Sequence, residues 1–529
     1  MGSYLSYPSS RVVTTAQGQV QGRRLVYKGD KQVDAFQGIP YAQPPVGQLR
    51  FQKPQPPDSW EGIRDATKFG NRAIQPYLLF IERLKKYAPS EDCLYLNVFT
   101  PCWEPPSGGF PVMVYLHGGG FVMGDADTYG DIGICENLCT RDVVVVSINY
   151  RVAYLGFFTT GDSVCPGNVG LWDQTEALKW VQQNIDAFGG NKDNVTVFGQ
   201  SAGAASVDFL HLSPHSTDLF HKGICLAGNA LAPWAISSNM VEQCRKKARL
   251  VGVEEKDSQK FIEKLREVPA DKFGINLFAQ VDKEDFVDLE TTPVIDGDFF
   301  PESLEELRKK ATPKPLMTGV TKEEGIFFML WKKNTAEGLS EIIRHALRDA
   351  ENKERLQDQL HKKYANNRDL KDNQNLLRVS AEVHSDYFMN CPTLRWCERN
   401  TDNDQPVYLY IFDHFCVKSI GYGRFLLPIL DITHCLELTY LFRKSVFSPF
   451  VDTESEHSVE NNFSRAFTNF AIFGNPNGGD ASRTDLPARW APIDSRNPSK
   501  NFVFTTEGGH MSESYFGGRP ADVMAMIQQ

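Results

Sequence analysis

The 529-residue chain contains no run of roughly 18 or more uncharged apolar residues, the least that would suggest a bilayer-spanning helix. No transmembrane span is therefore expected. Excess positive charge is also missing: 56 Lys and Arg stand against 66 Asp and Glu, a net charge of −10. A nucleic-acid surface needs basic side chains to replace counterions, so nucleic acid is excluded as a partner. The basic run Arg83-Leu84-Lys85-Lys86 sits beside acidic residues and reads as a solvated face. The cysteines number eleven and include no CxxC pair or regular framework. Cys135 and Cys139 lie close in sequence but without a surrounding His/Cys cluster, so neither zinc nor any other cofactor is expected. The start, MGSYLSYPSS, lacks the apolar stretch of a secretory leader. It does fit M-G-x-x-x-[ST] through Gly2 and Ser6, a myristoylation pattern. One acyl chain without a polybasic patch gives only weak, reversible membrane contact.

Apolar residues make up 41% of the chain, ample for a large core. Continuous β-rich runs recur at Val112–Leu116, Val143–Asn149, Val195–Phe198, Ile224–Ala227, Val407–Phe412 and Asn501–Thr505. Runs of this kind suit strands covered on both faces. Between them, Asp173–Phe188 predicts an amphipathic helix capped by Asp173, with Leu178, Val181 and Ile185 on one stripe. Alternation of strand and helix indicates an α/β fold around a large, mostly parallel central sheet flanked by helices. No repeat or low-complexity linker divides the chain. One domain over residues 1–529 is expected, with a charged helical subregion at about residues 302–400 on the edge of the sheet.

The segment NVTVFGQSAGAASV, Asn194–Val207, holds the sharpest signal. Gly199-Gln200-Ser201-Ala202-Gly203 is G-x-S-x-G between a strand and a small-residue helix, the context of a nucleophile elbow. So sharp a turn needs small residues two before and two after the serine. The following helix aims its N-terminus at the same spot, where negative charge is stabilised. A second loop, His117-Gly118-Gly119-Gly120-Phe121, follows the strand VMVYL. Glycines there let backbone N–H groups approach a tetrahedral oxyanion. A nucleophilic serine also needs a base and an orienting carboxylate, in the chain order Ser, Asp/Glu, His for this fold. His345 and His361 lie in charged helices and read as solvated. His384, His414, His434, His457 and His510 stay open on the residues alone.

These motifs resemble the type-B carboxylesterase and cholinesterase family over nearly the whole chain. FGGNKDNVTVFGQSAG (Phe188–Gly203) and EDCLYLNV (Glu91–Val98) are similar to its two signatures. FQGIPYAQPPVGQLRF, INYRVAYLGF, GNVGLWDQ, TPVIDGDFFP and FAIFGNPN are similar to other family blocks. The resemblance implies an α/β-hydrolase fold with an active-site gorge and an acyl-enzyme mechanism. In GVTKEEGIFF it implies Glu324 as the acid, although the residues alone do not separate it from Glu323. In DITHCLEL it implies His434 as the base, with Cys435 where the family usually has glycine and Glu437 just beyond. His414 matches a non-catalytic family histidine. The implied oxyanion donors are Gly119, Gly120 and Ala202.

Departures from the family narrow the expectation. Cholinesterases carry an acidic residue before the serine, where this chain has Gln200, and a tryptophan in the region that reads QPYLLFIERLKKYAPSE here. Cation recognition on aromatic faces is therefore weakly supported. Val287 and Leu289 fall where the acyl pocket is lined, and aliphatic residues there imply room for larger acyl groups. Trp234, Phe327 and Phe328 are further pocket candidates. Cys93 and Cys391 match halves of family disulfides, but the matching partners are missing: Ala73 stands opposite Cys93, Val253 and Lys264 occupy a second pair, and no cysteine follows Cys435. This favours a reducing, cytoplasmic setting, with Gly2 as a candidate lipid anchor. Asn194 and Asn462 form N-x-[ST] sequons, but Asn194 precedes a core strand, which argues against glycosylation. The expected function is a serine carboxylesterase acting on a small-molecule ester. An acyltransferase on the same triad is the alternative, since certain nematode family members that acylate glycolipids have a similar start. A non-catalytic adhesion relative fits less well because the triad residues are all present.

Overall fold

The computed structural model describes residues 7–26, 29–76, 88–275, 289–331, 334–348, 350–401, 404–444, 450–480 and 482–527. Gly2, Val287 and the basic run Arg83–Lys86 lie outside the described residues. The chain divides into two compact units, residues 1–224, 235–278 and 289–312 in the first and 225–234, 279–288 and 313–529 in the second.

In the first unit the strands are β1 (Ser9–Thr14), β2 (Gln19–Val26), β3 (Val33–Pro40), β4 (Ile63–Asp65), β5 (Tyr95–Pro101), β6 (Phe110–Leu116), β7 (Val144–Ile148) and β8 (Gly190–Gln200). They lie in the order β1-β2-β3-β5-β7-β6-β8, with β4 against β2. The early strands pair antiparallel, whereas β6 runs parallel to both β7 and β8. Every residue of β6 and β7 is buried, as strands covered on both faces require. Register matters for function: Leu116, the last residue of β6, lies opposite Gly199 of β8. The glycine loop after β6 and the serine turn after β8 therefore leave the sheet side by side, at the carboxyl ends of neighbouring parallel strands. Open α/β sheets place their sites at such ends.

β9 (Lys222–Leu226) carries the chain into the second unit. That unit holds β10 (Leu316–Thr321), β11 (Val407–Asp413), β12 (Asn501–Thr505) and β13 (Gly508–Ser512). β10–β11 and β11–β12 are parallel, and β12–β13 is an antiparallel hairpin. The result is an α/β fold with a large mixed sheet, parallel where the motifs lie and flanked by helices. Charged helices fill the stretch 302–400: Leu304–Lys310 in the first unit, then Ala336–Ala346, Lys353–Ala365, Asn373–Ser385 and Cys391–Arg399 in the second. Ser303, Thr335 and Asp372 cap three of them by accepting a backbone N–H three residues on. Leu356, Leu360 and Tyr364 form the narrow buried stripe of one otherwise polar helix.

One sequence expectation is corrected. The helix read as Asp173–Phe188 begins at Val169 and ends at Asn184, and twelve of its residues are buried, Asp173, Gln174 and Thr175 among them. Asp173 is not a cap. Its carboxylate accepts from the Arg151 backbone N–H at 3.0 Å and from Nε and Nη2 of Arg151 at 2.8 and 2.6 Å. A buried guanidinium 22 positions away thus outcompetes the local capping role. The eleven cysteines form no disulfide. Among the described residues no helix is long and apolar enough to cross a membrane.

Candidate active site

Ser201 stands between β8 and the helix Ala202–Leu212 with φ 58° and ψ −123°. L-residues avoid this region, and holding one there costs about 1–3 kcal/mol. The surroundings enforce it. A Cβ on Gly199 would lie 2.5 Å from the carbonyl of Gly203, and one on Gly203 only 2.1 Å from the Leu116 oxygen. Strand end and helix start thus touch backbone to backbone, which lifts Ser201 out of the turn. Ser201 is 9% exposed while Gln200 and Ala202 are fully buried. Ala202 opens its helix, so its N–H lacks an intrahelical acceptor.

The glycine loop closes on this turn. A Cβ on Gly118 would lie 2.6 Å from the Gln200 backbone oxygen, 2.9 Å from its Oε1 and 3.1 Å from Ser201 Cβ. Gly119 and Gly120 have φ of 110° and 59°. The loop carbonyls are engaged elsewhere: Tyr150 OH donates to His117 O at 2.7 Å, and Val122 N–H to Gly119 O at 3.0 Å. His117 stacks on Tyr150 with ring centroids 4.2 Å apart, so it braces the loop. Leu289 Cδ2 lies 3.3 Å from the Cβ position of Gly120, which puts this acyl-pocket candidate against the glycine loop.

In the second unit, Glu324 follows β10 by three residues and is fully buried. Its Oε1 accepts from Thr321 N–H at 2.6 Å and Thr321 Oγ1 at 3.0 Å, and its Oε2 lies 2.5 Å from His434 Nδ1. Thr433 ties the two segments together, donating to Glu324 O at 3.2 Å and accepting from Phe327 N–H at 3.0 Å. Glu323 points elsewhere. Burial, then the like charge of Asp431, push its carboxyl up to about 7. Geometry thereby separates two neighbours that the sequence left together. Cys435 adopts φ 72° and ψ −8°, a left-handed conformation that glycine holds without strain.

Glu437 is a buried carboxyl whose importance sequence reasoning missed. It is 0% exposed, and neither oxygen has a hydrogen-bond partner among the described residues. Burial and then the Glu324 charge raise it well above the carboxylate range. Thr321 and Thr433 were also missed; adjacency to Glu324 and His434 was their only sequence signal. A rival acid–histidine pair exists at His414, whose Nε2 lies 2.8 Å from Glu456 and whose Nδ1 lies 2.8 Å from Thr506 Oγ1. Both of its nitrogens are spent on structure. His457 bridges Asp452 and Glu460.

Two of the three aromatic pocket candidates pack on His434, and the third lies beside Phe388. Phe327 and Phe328 have ring centroids 5.5 and 5.0 Å from the imidazole. Phe328 packs on Phe388 at 4.9 Å, and Trp234 donates its indole N–H to Phe388 O at 3.1 Å. Each of the two units thus holds its own cluster: Gly118–Gly120, Gln200, Ser201, Ala202 and Leu289 in the first, and Glu324, His434, Trp234, Phe327 and Phe328 in the second. Among the described residues no group of His, Cys, Asp or Glu is placed to hold a metal ion.

Comparison with known proteins gives the family. The model of the carboxylesterase family matches residues 9–519. The chain is 37% identical to esterase cest-33 of Caenorhabditis elegans, over 98% of this chain and 95% of that protein. It is 35% identical to pyrethroid hydrolase Ces2a of Mus musculus, over 89% and 84%. It is also 35% identical to cocaine esterase of Homo sapiens, over 89% and 85%. The chain therefore belongs to the carboxylesterase family, as an α/β hydrolase and a carboxylic ester hydrolase.

Proposed function

We propose that the protein hydrolyses carboxylic esters through a Ser201–His434–Glu324 triad and an acyl-enzyme. His434 takes the Ser201 proton as the oxygen attacks the ester carbonyl, and Glu324 holds the imidazole by Nδ1 and stabilises its charged form. The N–H groups of Gly119, Gly120 and Ala202 receive the oxyanion, each donor contributing on the order of 3 kcal/mol. His434 then protonates the departing alcohol, and water repeats the sequence to release the acid. The observation that carries this reading is the strained backbone of Ser201, held by glycine contacts beside a second glycine loop.

The neutral Gln200 and the aliphatic Leu289 support neutral esters with sizeable acyl groups over choline esters, and Val287, outside the described residues, belongs to the same reading. The relatives named above are esterases and hydrolases, so hydrolysis rather than acyl transfer is carried forward. Cysteines without disulfides support a reducing, cytoplasmic setting, and Gly2 is a candidate for myristoylation. Fluorophosphonate labelling of wild type and Ser201→Ala, followed by a panel of p-nitrophenyl esters of increasing acyl length, tests the assignment. Labelling and turnover should vanish in the variant, with longer acyl chains preferred by the wild type. Equal labelling of both proteins would refute the nucleophile.

A further inference from the structure

Between β11 and His434 the chain reads VKSIGYGRFLLPIL, residues 417–430. Its helical turns are broken at Gly421, which has φ 54° and ψ −124°. Ile420, Leu427 and Ile429 point inward, at 0%, 7% and 7% exposure. The outward residues are also apolar: Val417 is 49% exposed, Phe425 72%, Leu426 52% and Leu430 46%. A surface element ordinarily turns polar groups to water, and isolated apolar residues elsewhere on the surface need no explanation. Among the described residues the other exposed large hydrophobics are scattered along the chain, from Val12 to Phe473. Four fall in this one segment.

The charges around it are one-sided. Lys418 and Arg424 are exposed within the segment, and the Arg424 guanidinium lies 4.7 Å from the Phe425 ring centroid. The flanking carboxylates are occupied, Asp413 by Lys322 at 2.9 Å and Asp431 by Arg378 at 3.3 Å. Bulky apolar side chains interleaved with Lys and Arg are the composition that lies in a lipid headgroup boundary. The patch is also too small for a stable dimer. Scaled by fractional exposure, its four side chains offer on the order of 400 Å², counting roughly 150–250 Å² for a large side chain, against about 800 Å² per partner in a standard protein interface.

We propose that residues 417–430 form an interfacial docking element. Val417, Phe425, Leu426 and Leu430 enter the surface of an anionic phospholipid bilayer, while Lys418 and Arg424 meet its headgroups. The element ends four residues before His434, so docking brings one flank of the candidate site to the lipid surface.

Flotation of the full chain carrying Gly2→Ala, which removes any acyl chain, on phosphatidylcholine–phosphatidylserine vesicles tests it. Wild-type sequence at residues 417–430 should bind these vesicles and bind pure phosphatidylcholine more weakly. Phe425→Ser with Leu426→Ser should weaken binding by about tenfold or more. Lys418→Glu with Arg424→Glu should abolish the preference for the anionic lipid and its salt sensitivity. Leu250→Ser with Phe473→Ser, two exposed apolar residues elsewhere, should leave binding unchanged. Near-ultraviolet circular dichroism and thermal melting confirm that each variant is folded. Absence of vesicle binding, equal binding by the Phe425/Leu426 variant, or a dimer that this variant converts to a monomer would overturn the proposal.

Discussion

Glu324→Gln with Glu323→Gln as its control tests the acid assignment most directly. Glu324 is 0% and His434 2% exposed, and carboxylate and imidazole meet at 2.5 Å. In the proposed mechanism His434 takes the serine proton, and its positive charge then centres about 4 Å from the carboxylate. At an effective dielectric of roughly 20 that attraction is worth about 4 kcal/mol, on the order of a thousandfold in rate. Glutamine keeps the volume but loses the charge, and its amide N–H₂ also favours the wrong imidazole tautomer. We expect kcat/KM for p-nitrophenyl butyrate to fall by roughly 10³–10⁴ in Glu324→Gln and to stay within about threefold in Glu323→Gln. Fluorophosphonate labelling should slow in parallel, with unchanged circular dichroism. If Glu324→Gln kept more than about a tenth of wild-type activity, or Glu323→Gln lost as much, the dyad reasoning would be wrong.

Other expectations follow from strain, clearance and charge. Cys435→Gly should retain activity and raise thermal stability by up to about 1 kcal/mol, because glycine relieves the left-handed strain at some entropic cost; Cys435→Val should lower the melting temperature. Gly203→Ala should eliminate fluorophosphonate labelling, since its Cβ would meet Leu116 O at 2.1 Å, whereas Gly274→Ala, whose nearest contact is 3.3 Å, should melt and label as wild type. Asp173→Ala leaves the Arg151 guanidinium buried and alone and should cost about 3–5 kcal/mol in denaturant unfolding, part of it recovered in Asp173→Leu with Arg151→Met. Glu323 binds its proton more tightly folded, at about 7, than unfolded, at the ordinary 4.5. Its stabilising contribution is therefore complete below pH 4.5 and is lost as pH rises towards 7. Glu323→Gln should then melt above wild type at pH 8, by on the order of 1–2 kcal/mol after solvent screening, and level with it at pH 4.

Local chemistry was the legible part of this chain. The strand Asn501–Thr505 is legible to the residue because its β-rich run and its flanks are local, and the serine turn is legible because steric clearance writes itself as glycine and alanine. β1–β4 are not legible, since strands with polar positions take their identity from a partner strand, and sequence does not name the partner. Asp173 was misread for a related reason: a carboxylate at a plausible helix start resembles a cap unless Arg151 is known to lie against it. Glu323 and Glu324 are equivalent as letters, and only the turn after β10 sends one towards His434 and the other towards Asp431. Cys435 was visible as a departure, but its left-handed backbone was not.

The crowding around Ser201 bears on how the protein can change. Gly199 and Gly203 admit no side chain, and Gly118 admits none on the facing loop. Ala202 is fully buried at the head of its helix. Mutational drift at the turn is thereby channelled into Gln200, whose amide Oε1 fills the space that a Gly118 side chain would need. Exchange of glutamine for glutamate there alters charge at nearly constant volume, so the electrostatics beside Ser201 can evolve without repacking the turn that holds it.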